Sequence, residues 1–269
     1  MNPERASEQH REKGAGVLSL VLLSVILGGT AVGCISHQQI REAEGHSMMA
    51  LADLNQGDTA GAITNAKKAV KVNRWDPRAW HALGLAYFGA GLPGEAETAF
   101  LKALKLEPDF SQAQLNLGGL YLETERWDDA ILWLGKAAAN PEYRQPDRAL
   151  HNLGWAWFNK GDYGKAREHF RKVLREFHRF CPALLNLGRV DEAEGKVEDA
   201  LKRYQQAVEC DPADLKGKLS LGIVEGRLDM LSDACKHLSE VQAADPYGEL
   251  YDQAAEYLKR LECGQFSKM

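Results

Sequence analysis

A Leu-Gly pair recurs along this chain at Leu83-Gly84, Leu117-Gly118, Leu153-Gly154, Leu187-Gly188 and Leu221-Gly222, at intervals of 34, 36, 34 and 34 residues. Twelve residues past each Gly stands an alanine: Ala96, Ala130, Ala166, Ala200 and Ala234. Ala62, 34 residues before the first of these, marks a degenerate leading copy. Large apolar or aromatic residues follow in phase at Phe100, Leu134, Phe170, Tyr204 and Leu238. Several positions holding one phase over most of a 269-residue chain define a repeat array, in which each unit buries its apolar face on its neighbours.

Within each unit, apolar residues at helical spacing supply a stripe to bury. The small Gly and Ala allow two helices to approach closely. Gly57, Gly91, Gly161 and Gly195 fall at the turn between those helices, where a positive φ costs glycine little. Pro108, Pro212 and Pro246 close three of the units by stopping the second helix.

This pattern resembles the tetratricopeptide repeat, a helix A, a short turn and a helix B in about 34 residues. The resemblance implies an all-α fold, a right-handed superhelical solenoid of six repeats plus a C-terminal capping helix. The copies fall at 43–76, 77–110, 111–144, 147–180, 181–214 and 215–248, together 43–248, with Gln145-Pro146 as a two-residue insertion. Residues 249–262 read as an amphipathic helix covering the last apolar face, and 263–269 as a tail.

The N-terminus reads as an address. Arg5, Arg11 and Lys13 precede a small and apolar run of 15 residues, Ala15 to Gly29. That is short of the roughly 20 residues a helix needs to cross a bilayer, and it fits a secretory signal. An uncleaved N-terminal anchor is the other reading. Ala31-Val32-Gly33-Cys34 resembles a bacterial lipobox, which implies a signal peptide over 1–33, acyl chains on Cys34 and a linker over 34–42. Ile35 in place of Asp, by analogy with enterobacterial sorting, points to the outer membrane.

The formal net charge of -5 argues against sequence-independent nucleic-acid binding, which needs a positive surface. No HExxH, P-loop or GxSxG occurs. His178 and Cys181 form an H-x-x-C without two further ligands at familiar spacing. Asp128-Asp129 stand before a helix B, where they complement its positive N-terminus. The expectation is a protein that is not an enzyme and takes no metal, cofactor or small-molecule substrate.

Setting Cys34 aside, Cys181, Cys210, Cys235 and Cys263 remain, with three connectivities in an oxidising compartment. Cys181 opens helix A and Cys210 closes helix B of the fifth copy. Cys235 opens helix B of the sixth copy and Cys263 ends the capping helix. Antiparallel packing puts each pair at one edge and favours Cys181–Cys210 and Cys235–Cys263. Four buried or free thiols remain the alternative.

In this repeat class the second, fifth, sixth, ninth and twelfth positions of helix A face the concave groove. Here they include Arg78, His81, Leu85 and Phe88, then Gln112, Leu115 and Asn116. The fourth copy contributes Arg148, His151, Asn152, Trp155 and Phe158; the fifth and sixth add Leu185, Asn186, Arg189, Leu219 and Ile223. Aromatic anchors beside amides suit an extended or helical peptide. Asn116, Asn152 and Asn186 resemble the Asn ladder with which some repeats of this class hold peptide backbone. Trp155 packing against the next helix is the structural alternative.

The stretch NPEYRQPDRALHNLGWAWFNKGDYGKAREHFRKVLREFHRFCPALLNLGRV, residues 140–190, resembles the type IV pilus biogenesis lipoproteins, the PilF/PilW/Tgl group of pilotins. The inserted residues, the Pro-x-Tyr before them and the later Phe-x-Pro-Ala-Leu-Leu carry the likeness. It implies an outer-membrane lipoprotein on the periplasmic face that binds secretin subunits and promotes their multimer assembly. An adaptor for other envelope or cell-wall machinery is the alternative, and failure of the lipobox would leave an inner-membrane-anchored assembly factor.

Overall fold

The computed structural model describes residues 35–263. The signal segment, the lipobox and Cys34 lie outside the described residues, as do 264–269.

The described chain forms thirteen helices in an unbroken series of antiparallel hairpins. The A and B helices of the six copies are α1 (His37–Asn55) and α2 (Thr59–Val72), α3 (Pro77–Gly89) and α4 (Pro93–Leu106), and α5 (Ser111–Glu123) and α6 (Trp127–Ala139). They continue as α7 (Pro146–Asn159) and α8 (Tyr163–Glu176), α9 (Cys181–Ala193) and α10 (Val197–Cys210), and α11 (Leu215–Arg227) and α12 (Leu231–Ala244). The cap is α13 (Glu249–Arg260). Among the described residues there is no strand. The architecture is an all-α tetratricopeptide-repeat solenoid.

The phased residues explain the hairpin. A Cβ on Gly84 would lie 2.5 Å from the Phe100 ring, one on Gly118 2.5 Å from Leu134, and one on Gly154 2.7 Å from Phe170. Helix A therefore needs glycine where the large side chain of helix B lands. Those partners are fully buried, as are Ala96, Ala130, Ala166, Ala200 and Ala234. The turn glycines Gly57, Gly91, Gly161 and Gly195 have φ of 78°, 71°, 84° and 76°; the third and sixth copies place Glu125 (φ 58°) and Asp229 (φ 59°) at the same step.

Three boundaries differ from the sequence reading. Residues 37–42 are not linker: α1 has 19 residues, started by a capping box between Ser36 and Gln39. Pro146 is the first residue of α7, its missing N–H costing nothing at that position, so of the two inserted residues one lengthens the helix and only Gln145, its N-cap, widens the preceding turn. The cap stops at Arg260, and Leu261 folds back on Gly226.

Cys181 is bonded to Cys210 and Cys235 to Cys263, both with a Cα separation of 5.6 Å, in the range a disulfide requires. The first ties the start of α9 to the end of α10; the second ties α12 to the segment after the cap.

Candidate partner-binding face

Successive A helices touch one another, α1 with α3, α3 with α5, α5 with α7 and α7 with α9. They form the inner wall, and the B helices lie outside. Side chains at the sixth and ninth positions of helix A therefore decide what this wall presents.

The fourth and fifth copies bring six of the expected residues together. The Trp155 and Phe158 rings stack at 5.1 Å and 13°, because three residues on a helix place them on one face. The Arg189 guanidinium lies 5.4 Å from the Trp155 ring and 3.4 Å from Asn186 Oδ1. Asn186 Nδ2 stands 2.8 Å from His151 Nε2, and His151 Nδ1 is 3.4 Å from Asn152 Oδ1. The result is a half-buried aromatic slab edged by a cation. It fits an apolar or aromatic side chain that carries, or neighbours, a carboxylate.

Some expected groove residues do not face outward. His81, Asn186 and Leu115 are 9%, 6% and 3% exposed. The amide of Asn116 reaches back 2.7 Å to His81 Nε2 in the previous copy, as Asn186 does to His151. Two amides of the supposed ladder are thus committed to imidazoles. The reason is packing: each imidazole lies against two phenyl rings, Phe100 and Phe110 for His81 and Phe170 and Phe180 for His151, and its ring nitrogen needs a partner in that dry setting. Burial pulls His81 down to about 4 and lowers His151 as well. Burial disfavours the charged form of both, and an uncharged Nε2 can accept the N–H that the adjoining amide Nδ2 points at it.

In the first half of the wall, Leu85 and Phe88 are half-buried against the core. Arg78 is exposed and pairs with Glu44 at 3.6 Å; Arg148 is exposed at the start of α7. The inner face also carries two residues that sequence reasoning missed, Met48 (71% exposed) and Leu51 (39% exposed). They occupy the sixth and ninth positions of the first copy, which lacks the Leu-Gly pair. Counting back 34 residues from Ala82 and Leu85 would have found them.

Cys181 is held in its disulfide. Asp128 and Asp129 lie in the first turn of α6, paired with Lys160 and Arg126. Among the described residues no three His, Cys, Asp or Glu side chains cluster as metal ligands, and no helix is long and apolar enough to cross a membrane.

Fold and inner face together define a repeat scaffold of the tetratricopeptide type, a class of proteins that binds other proteins. One tetratricopeptide repeat model matches residues 47–102 and 81–144, and a second matches 147–179. Among solved structures, the chain is similar to PilW, described as a widely conserved type IV pilus biogenesis factor. The TM-score is 0.72 at 22% identity, covering 79% of this chain and 98% of PilW. It is similar also to PilF of Pseudomonas aeruginosa, with TM-score 0.71 at 19% identity, covering 82% of this chain and 99% of PilF. At these identities the likeness establishes the shared fold. Curated relatives, among them a TPR repeat-containing protein of Methanocaldococcus jannaschii, match at 26–27% identity over 41–55% of this chain. The chain spans 27% and 65% of their lengths.

Proposed function

We propose that this protein is an outer-membrane lipoprotein scaffold that binds secretin subunits and promotes their assembly for type IV pilus biogenesis. The observation that carries the reading is the extent of the likeness: the array accounts for 98% of PilW and 99% of PilF. The lipobox-like Ala31-Val32-Gly33-Cys34 and the resemblance of residues 140–190 support it from the sequence. Two disulfides suit a chain that folds in an oxidising compartment.

On this reading the chain performs no turnover. Acylated Cys34 holds the scaffold at the membrane, and the inner wall captures a secretin segment. Confinement raises the effective concentration of captured subunits where they must meet. The Trp155–Phe158 slab and the exposed Met48 and Leu51 supply apolar anchors, while Arg189 and Arg78 select for acidic neighbours.

The test is capture from detergent extracts by the tagged full-length chain. Secretin recovered by the native chain, and lost with Trp155→Ala/Phe158→Ala, supports the reading. Recovery of other envelope proteins without secretin contradicts it.

A further inference from the structure

The loop between α2 and α3 carries Trp75, 61% exposed although indole is among the costliest side chains to leave in water. The Arg74 guanidinium stands 5.0 Å from its ring, and Asn73 Oδ1 accepts from the Trp75 backbone N–H at 3.1 Å, so the loop is held in shape. Trp80 is fixed beside it by a bond from Nε1 to the Arg74 carbonyl at 2.9 Å. With Lys102, Lys105 and Leu106 from the end of α4, these residues wall an open cleft of about 520 Å³. The nearby Asp76 is occupied, capping α3 through the Arg78 amide; Glu107 flanks the cleft from the α4 C-cap. The chain as a whole is acidic, yet residues 60–106 hold seven Lys and Arg against three Asp and Glu.

The cleft lies where helices A begin and helices B end, which is also the edge at which α1 begins. Cys34 is two residues before the Ser36 N-cap of that helix, so extended chain lets it stray only about 7 Å from it. Exposed indole with a fringe of Lys and Arg is the composition that settles at a bilayer–water interface. The geometry points to this edge of the first two repeats as a membrane-contacting surface, with Trp75 entering the headgroup layer and Arg74, Lys102 and Lys105 meeting anionic phospholipid. The inference rests on the reading of Cys34 as acylated for the membrane's being at hand. Its consequence is orientation. α1 begins six residues before the level of its successors, about 9 Å along the helix, so contact at Trp75 makes the array lean toward that loop instead of standing on the tip of α1. That lean fixes which way the inner wall faces.

The test uses the full-length chain reconstituted in vesicles of brominated phosphatidylglycerol or brominated phosphatidylcholine, with acylation of Cys34 read separately from the mass of the N-terminal peptide. The fluorescence difference between the native chain and Trp75→Phe isolates Trp75 from the other tryptophans. Trp75-specific quenching in phosphatidylglycerol, reduced at least twofold by Lys102→Glu/Lys105→Glu and absent from phosphatidylcholine, is the expected result. All three residues are exposed, and unchanged helicity confirms that the variants fold. Equal quenching of the native chain and Trp75→Phe overturns the inference even when Cys34 is acylated. So does a Trp75 signal that scales with protein concentration without lipid, which would assign the cleft to an acidic segment or a second copy. Trp75-specific quenching in a chain without acyl groups removes the lipoprotein reading and leaves the membrane surface standing.

Discussion

Asn116 Nδ2 lies 2.7 Å from His81 Nε2, across the boundary between two repeats, and the same pair recurs 70 residues on as Asn186 and His151 at 2.8 Å. The flanking phenyl rings recur with it. The second and third copies are thus related to the fourth and fifth as a two-repeat module, with each imidazole sealed where one copy meets the next. Because burial holds His81 at about 4 against about 6.5 in an unfolded chain, its contribution to stability is fully present above about pH 6.5. It is lost as pH falls toward 4, because only the unfolded chain then takes up the proton. The expected loss is on the order of 3 kcal/mol, with His151 adding to it in the same direction. Urea unfolding across that window should show the decline and a shallower one for His81→Gln. Equal slopes would mean the imidazole is not excluded from water.

The stacked pair Trp155 and Phe158 is half-buried, so shortening both to alanine removes the apolar slab proposed to hold the partner while leaving Gly154 and Phe170 packed beneath. Partner capture should fall tenfold or more, about 1.4 kcal/mol or above, with circular dichroism unchanged. Undiminished capture would place binding elsewhere, at Met48 and Leu51 first.

Glu125 and Asp229 take the left-handed step that glycine takes in four other copies. A non-glycine residue there costs about 1–2 kcal/mol, partly offset by the entropy that glycine loses on folding. Glu125→Gly should therefore raise stability by roughly 0.5–1 kcal/mol, read as a higher melting temperature. A lower one would mean that the Glu125 side chain contributes more than its backbone costs.

The Cys235–Cys263 bond closes 28 residues and holds the end of the cap beside α12. Reducing it, or making Cys235→Ser/Cys263→Ser, should cost about 2–4 kcal/mol and speed amide exchange in α13 and α11 ahead of the N-terminal copies. Exchange that rises uniformly along the array would show that the staple acts on the whole chain and not on the cap.

The repeat phase was legible because Gly84, Gly118 and Gly154 each meet a large side chain, a steric demand that leaves a mark in every copy but the first. The two cysteine pairs were legible for a related reason: antiparallel packing places Cys181, the first residue of a helix A, beside Cys210, the last of its helix B, and the first turns of α12, with Cys235, beside the end of the cap, with Cys263. Stacking between copies was harder to read. Nothing local to Asn116 announces that its amide answers His81, 35 residues away, so a buried polar pair resembled a ligand ladder. Met48 and Leu51 escaped because the first copy keeps its alanines, Ala62 and Ala66, but not the Leu-Gly pair that sets the register. The early start of α1 depends on a Ser36–Gln39 capping box just ahead of a stretch without strong apolar periodicity.

The most direct measurement is an immunoblot for heat- and detergent-resistant secretin multimers in cells with and without this gene, with Cys34→Ala as the companion variant. The account predicts that multimers disappear from the null cells while secretin monomer persists, and that Cys34→Ala fails to restore them. Multimers unchanged in the null cells would contradict secretin assembly as this protein's role.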